Sequence, residues 1–408
     1  MTETQQAPSA EGLKIGRLRL GTPLVLAPMA GVTNAPFRRL CREAGEQGLP
    51  SHLRASLDTA QPGIDAPAGL YVSEMITSRA LIEETPETMR MITPDPTERV
   101  RSIQLYGVDP ATMARAAAIL CERDLVDHID MNFGCPVPKV TRKGGGSALP
   151  WKSDLFNAIV QQVVAAAKPY GVPVTVKMRI GIDDEHITFK DAALAAQDAG
   201  IDAVALHART AAEHYSGQAH WDQIATLVQM LEIPVLGNGD VFEAEDALAM
   251  MDQTGCAGVV VGRGCQGRPW LFHDLAAALN GSEDRFRPTL AQVAELILCH
   301  AELMIENFAD EFRAMREMRK HIGWYLRGYQ IGGPTRGDLN RVSSLAELQE
   351  RLAALDLSQG YPQAAQGRRG RAGGVKRPHL PDGWLDSREI DEAARELLKG
   401  AELDTSGG

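Results

Sequence analysis

The stretch Gly258-Val259-Val260-Val261-Gly262-Arg263-Gly264 is an apolar run that stops at a glycine turn carrying one cation. Just upstream, Pro234-Val235-Leu236-Gly237-Asn238-Gly239-Asp240 has the same form. Six further short apolar runs precede them, at 24–27, 70–73, 102–105, 127–131, 174–178 and 203–207. Most are uninterrupted rather than alternating, as strands buried on both faces read. Helical spacing fills most of the gaps, at 110–122, 152–167, 189–199, 221–231 and 244–251. Eight such units over about 250 residues have the count and size of a (β/α)8 TIM barrel. The competing arrangement is a doubly wound open sheet, which would gather its functional residues at one switch point. Here the candidates spread over nearly all eight strand ends, so the barrel is the expectation. The two quoted turns then follow strands seven and eight, where such barrels hold a phosphate. Either turn alone is only a turn. Together they point to a phosphate-bearing ligand, with glycine letting backbone N–H groups approach the anion and Arg263 neutralising it.

Working outward, residues 1–14 read as a disordered N-terminus and 15–280 as the barrel. Residues 46–69 carry no clear period and read as an inserted surface loop. From 281 to 356 the pattern is all-helical, with helical spacing at 289–308, 311–329 and 343–355. The remainder, 357–408, is a Gly/Arg/Pro/Gln tail containing Arg368-Arg369-Gly370-Arg371. It is expected to be disordered, with a possible short helix at 387–398.

The 408-residue chain is 44% hydrophobic and carries a net charge of −11, an ordinary globular balance. No apolar run is long enough to span a bilayer. The six cysteines form no C-x-x-C pair and no metal-ligand spacing, so no metal is expected and a reducing cytoplasm is the simplest compartment. Net charge alone argues weakly against nucleic acid, but charge must be counted locally. Between Arg313 and Arg341, seven basic residues (Arg313, Arg316, Arg319, Lys320, Arg327, Arg336, Arg341) face Glu317 and Asp338. At 100° per residue, Met315, Met318, Ile322 and Leu326 share one face, while Arg316, Lys320 and Arg327 lie on another. An apolar face with a separate basic stripe fits either a solvated helix or contact with a phosphate backbone.

Asn132-Phe133-Gly134-Cys135-Pro136 follows the fourth run and precedes a basic, glycine-rich loop at 139–147. A cysteine where a strand gives way to a loop can meet a ligand, whereas most free cysteines are small buried hydrophobes. Strand five delivers Lys177 and Arg179, strand six His207 and strand three Gln104. A lysine in a barrel mouth must be paired or liganded. A flavin gives it a role, since a cation beside the ring's N1–C2=O edge stabilises the reduced form, and Gln104 can hydrogen-bond the pyrimidine edge. A reduced flavin that delivers hydride to one carbon of a C=C bond needs an acid for the other. A thiol is protonated at neutral pH and suits that task.

These residues resemble the tRNA-dihydrouridine synthases, in detail the bacterial B-type. The resemblance rests on Leu26-Ala27-Pro28-Met29-Ala30-Gly31-Val32-Thr33, the Asn132–Pro136 motif with its glycine-rich loop, and Val176-Lys177-Met178-Arg179. It rests also on Leu206-His207-Ala208-Arg209-Thr210, Gly237-Asn238-Gly239-Asp240 and Gly262-Arg263. It covers about residues 15 to 355. The family implies an FMN barrel with a helical tRNA-binding domain, reducing the 5,6 double bond of a D-loop uridine with NADPH (or NADH) as reductant. Carried over, Pro28, Met29, Ala30, Gln104, Lys177, His207, Asn238, Gly239, Asp240, Gly262 and Arg263 would contact FMN. Cys135 would be the proton donor, Asn132 and Arg179 would hold the flipped uracil, and Arg316, Lys320 and Arg327 would contact the tRNA D-arm. A monomer is expected. Two other readings stand beside this one: a barrel flavoenzyme acting on a free pyrimidine, similar to dihydroorotate dehydrogenase, and a non-catalytic RNA-binding protein. The appended basic helices argue against the first. The intact cysteine, lysine and phosphate glycines argue against the second.

Overall fold

The computed structural model describes residues 12–370 and 372–390, with Glu392, Arg395 and Leu398 beyond them. Eight parallel strands close a barrel: β1 (Leu24–Leu26), β2 (Leu70–Thr77), β3 (Ser102–Tyr106), β4 (His128–Phe133), β5 (Val174–Arg179), β6 (Ala203–His207), β7 (Val235–Asn238) and β8 (Gly258–Val261). Each pairs with its neighbour, and β8 closes on β1. All eight fall on the expected runs, with ends shifted by a few residues. Register decides what meets at the mouth. Asn132 stands level with Lys177, Arg179 with His207, and His207 with Asn238. β2 carries an irregularity between Val72 and Met75, where Ser73 accepts from the Gln104 backbone N–H at 3.2 Å.

The surrounding helices include α1 (Ala35–Gly48), α2 (Pro110–Glu122), α3 (Ser153–Ala167), α4 (Phe189–Asp198), α5 (Trp221–Met230), α6 (Ala244–Thr254) and α7 (Leu271–Leu279). Their starts are locally encoded: Asn34 accepts from the Phe37 amide at 3.1 Å, and Asp109 accepts from Thr112 at 2.8 Å, each satisfying an orphan donor. The second core belongs to α8 (Leu290–Phe308), α9 (Glu311–Tyr325), α10 (Gly333–Leu339) and α11 (Leu345–Ala353). Met315, Met318, Ile322 and Leu326 are buried in it, as the spacing predicts. Across the junction, Phe37 packs on His300 and His321 at 5.8 and 5.6 Å between ring centroids.

Three expectations need correction. The 46–69 segment is not an irregular loop: α1 runs on to Gly48, a short helix Ser51–Ala55 follows, and Asp65–Ala66 pairs with Leu18–Leu20 of a small outer sheet. Strand pairing supplied order that local periodicity did not signal. At the N-terminus, Leu13–Ile15 already forms a strand with Leu18–Leu20, so order starts before residue 15, while residues 1–11 lie outside the described residues. The described tail is not loose either. Arg369 and Trp384 are both 2% exposed, and Trp384 Nε1 donates to the Ala148 carbonyl at 2.9 Å. One buried tryptophan and one buried arginine anchor a chain whose composition alone signals disorder. Of the expected helix at 387–398, residues 387–390 are not helical, Glu392, Arg395 and Leu398 are, and the other five lie outside the described residues. No helix among the described residues is long and apolar enough to cross a membrane.

Candidate active site

A cavity of about 860 Å³ opens at the C-terminal ends of the strands. Pro28, Met29, Ala30, Gln104, Asn132, Cys135, Lys177, Arg179, His207 and Arg263 all line it, so ten of the side chains singled out by sequence meet there. One wall is a hydrogen-bonded ladder. Asp130 accepts from Gln104 Nε2 at 2.7 Å and from Thr175 Oγ1 at 2.6 Å. Asn132 Nδ2 donates to Gln104 Oε1 at 3.0 Å. Asn132 Oδ1 in turn accepts from the Gly134 and Cys135 amides at 3.1 and 3.0 Å. The side chain three residues before Cys135 therefore fixes the turn that presents it. Arg179 holds the same turn from beneath, with Nε donating to the Gly134 carbonyl at 3.0 Å. Arg179 Nη1 is committed to Thr210 and His214 carbonyls at 2.8 and 2.9 Å.

Electrostatics follow from burial. Burial pushes the Cys135 thiol above its ordinary value, outweighing the Val137 amide and the Arg179 and Lys177 charges that pull it down. The thiol is thus protonated at neutral pH. Burial brings the Lys177 amine down to about 8, with Arg179 adding to the effect; its Nζ donates to Asn238 Oδ1 at 2.9 Å. Burial lifts the Asp130 carboxyl to about 6 against its hydrogen bonds from Thr175 and Gln104. His207 is held well below its ordinary value by burial, then by Arg179 and Lys177, so it meets the cavity as neutral imidazole.

The opposite wall lies at the ends of β6 to β8. Asp240 has φ 60° and Gly239 φ 129°; a Cβ on Gly239 would stand 2.7 Å from Ala219 Cβ, so only glycine fits. The Asp240 carboxylate accepts from Arg209 Nη2 at 2.6 Å, the Ala219 amide at 2.8 Å and Arg263 Nη2 at 3.4 Å. Asn238 bridges to the Val260 carbonyl at 2.7 Å. The side chains of Asn238 and Asp240 are therefore braces, and Gly239 is a turn. Arg209 Nη1 and Arg263 Nη1 are buried with no hydrogen-bond partner among the described residues. Tyr215 lies 4.3 Å from the Arg263 guanidinium, measured to the ring centroid.

The basic stripe is less free than its spacing suggests. Arg316 is exposed beside Phe312. Lys320 pairs with Glu317 at 2.6 Å and sits against the barrel mouth, 3.1 Å from where a Gly31 Cβ would stand. Arg327 lies beyond α9, which ends at Tyr325, and donates to the Arg368 carbonyl. The helix stops before the 100° spacing can carry that face on. Sequence reasoning missed Tyr215, Trp324, Gln266 and the tail segment near Gly370 and Lys376, all of which line the cavity. Arg209 was in view within the strand-six motif, but nothing local distinguishes an inward arginine from a surface one.

This geometry has relatives. Residues 25–359 match the profile of the family described as Dihydrouridine synthase (Dus). The chain belongs to the dihydrouridine synthase family. The probable tRNA-dihydrouridine synthase of Mycobacterium leprae is 51% identical over 94% of this chain and all of its own length. That of Mycobacterium tuberculosis (strain ATCC 25618 / H37Rv) is 49% identical over the whole of both chains. The tRNA-dihydrouridine synthase B of Escherichia coli (strain K12) is 36% identical over 84% of this chain and 98% of its own. The part shared across the dihydrouridine synthases thus contains both walls of the cavity, and the family profile stops at residue 359, leaving nearly all of the tail outside it.

Proposed function

We propose that this chain reduces the C5–C6 double bond of a uridine in the D-arm of tRNA to 5,6-dihydrouridine, with FMN as cofactor, NADPH as reductant and Cys135 as proton donor. The observation that carries the reading is a buried, protonated thiol that lines the same cavity as Arg263, which with the fully buried Arg209 forms a cradle on the Asp240 carboxylate, each arginine keeping one N–H without a partner among the described residues. An unsatisfied buried donor costs about 1–3 kcal/mol, more when charged, so the cradle fits a phosphate. Arg263, Arg209 and the turns at Gly239 and Gly262 would hold that phosphate. Lys177 and Gln104 would hold the pyrimidine edge of the ring, with Pro28 to Ala30 and His207 beside it. When bound, the reduced flavin would supply the hydride that the C6 side of the double bond needs. The Cys135 thiol gives its proton to C5, and the thiolate left behind is reprotonated from solvent. Asn132 and Arg179 hold the turn that aims the thiol, and uracil would add to their contacts. Lys177 Nζ presents positive charge at neutral pH, beneath its shifted value.

The tRNA body would lie along α9, where Arg316 is exposed and Lys320 flanks the barrel mouth. A monomer acting in the cytoplasm accounts for these features without a second copy. Purified protein, incubated with NADPH and tRNA lacking dihydrouridine, should yield dihydrouridine on nucleoside mass spectrometry. Reduction of a free pyrimidine such as orotate, with none of tRNA, would instead favour the small-substrate reading.

A further inference from the structure

The tail crosses from the helical domain over the barrel rim. Arg369 Nη1 donates to the Gln266 and Trp324 carbonyls at 3.0 and 2.8 Å, and its Nη2 to Ala365 at 2.8 Å. The Lys376 amide donates to the Ala212 carbonyl at 2.8 Å. Further along, Trp384 docks on Ala148, and Lys152 Nζ donates to the Ser387 and Glu389 carbonyls at 2.8 and 3.0 Å. The strap therefore runs from the β8 turn, past the loop after β6, to the elements after β4.

The strap lines the cavity at Gly370, Ala372, Gly373, Gly374 and Lys376, and Arg368 lies just before this stretch, beside Asp240. A Cβ on Gly370, whose φ is 75°, would sit 3.2 Å from Arg263 Cδ. The Arg368 guanidinium donates to the Gly217 carbonyl and lies 4.0 Å from Asp240 Oδ1. Gly217 also accepts from Arg209 Nη2 at 3.0 Å. Arg209, Arg263 and Arg368 thus converge on one carboxylate, Asp240. Three guanidinium charges against one carboxylate leave an excess of two positive charges, which a phosphate monoester dianion balances.

We propose that Arg368, carried by a strap beyond the end of the family profile, is a third phosphate-binding arginine, so that the strap and a bound flavin phosphate hold each other in place. This rests on the reading of the cradle as a flavin phosphate site. Arg327 serves the arrangement indirectly, since it fixes the Arg368 carbonyl. Arg369 is a positioning residue that ties the strap to the β8 turn and to α9.

The test compares FMN with riboflavin, which lacks the phosphate, by titrating full-length apoprotein and following flavin fluorescence. Arg368→Ala should weaken FMN about tenfold, the lower end for a hydrogen bond to a charged group, and leave riboflavin unchanged; Arg368→Lys should fall between. Arg263→Ala serves as the reference for a phosphate-selective loss. The strap inference fails alone if Arg263→Ala loses FMN selectively while Arg368→Ala binds it like wild type. It also fails if Arg368→Ala loses riboflavin equally, since the arginine would then only support the fold. If neither variant separates FMN from riboflavin, the phosphate reading itself falls and takes the strap with it.

Discussion

On the β3–β5 wall of the cavity, Asp130, Gln104 and Asn132 pass hydrogen bonds along to the Cys135 amide at 2.7–3.0 Å. On the β6–β8 wall, Arg209 and Arg263 each keep one buried N–H without a partner among the described residues. The first wall is satisfied by the protein itself and arrives with its acid already aimed. The second keeps donors that would suit the proposed phosphate. Presentation of the acid and capture of a phosphate therefore sit on separable sides of one cavity, and substitutions should sort accordingly.

The largest effect belongs to the first wall. Cys135→Ala should keep flavin and NADPH oxidation and lose about 10²–10⁴-fold in dihydrouridine formation, the usual contribution of a general acid; near-normal product would break the assignment. The wild-type pH profile sharpens it. Cys135 sits above its ordinary value, so loss of the acid should begin only above the normal thiol range. The acid limb should fall as pH drops through about 6, where Asp130 takes a proton and ceases to accept from both Gln104 and Thr175.

The second wall answers in flavin affinity. Arg263→Ala should weaken FMN by about ten- to a hundredfold, seen as paler protein after dilution. Equal occupancy would mean that backbone amides hold the phosphate unaided. Next in size, Asp130→Asn should lower turnover by about tenfold, because a side-chain NH2 would replace one acceptor oxygen and face a donor, Gln104 Nε2 or Thr175 Oγ1, while the preference for FMN over riboflavin stays put. A loss of that preference would erase the division between the walls.

The smallest effect lies outside both. Arg316→Ala with Lys320→Ala should raise the Michaelis constant for tRNA a few-fold. It should also flatten the salt slope by about 0.7–0.9 per lost phosphate contact, with circular dichroism unchanged. An unaltered slope would make that face merely solvated.

How much of this was legible depends on range. The strands, the glycine turns at Gly239 and Gly262, and the strand-end residues Gln104, Asn132, Cys135 and Lys177 announce themselves because burial on both faces leaves apolar runs, and parallel strands put their ends in one place. The Asp130 ladder was not legible, since it depends on register between β3, β4 and β5. Arg327 was misplaced on the helix because periodicity does not show where the helix stops, and it gives no sign that Lys320 pairs with Glu317. The strap was misread because Gly and Arg enrichment signals disorder, while its order comes from Trp384 and Arg369 finding partners 236 and 103 positions away, respectively.

The most direct test of the account reduces the enzyme's flavin under anaerobic conditions and then adds tRNA lacking dihydrouridine. The account predicts that flavin colour returns and that one dihydrouridine appears per flavin reoxidised, with orotate leaving the flavin reduced. Flavin that stays reduced with tRNA, or that is reoxidised by orotate instead, would contradict it.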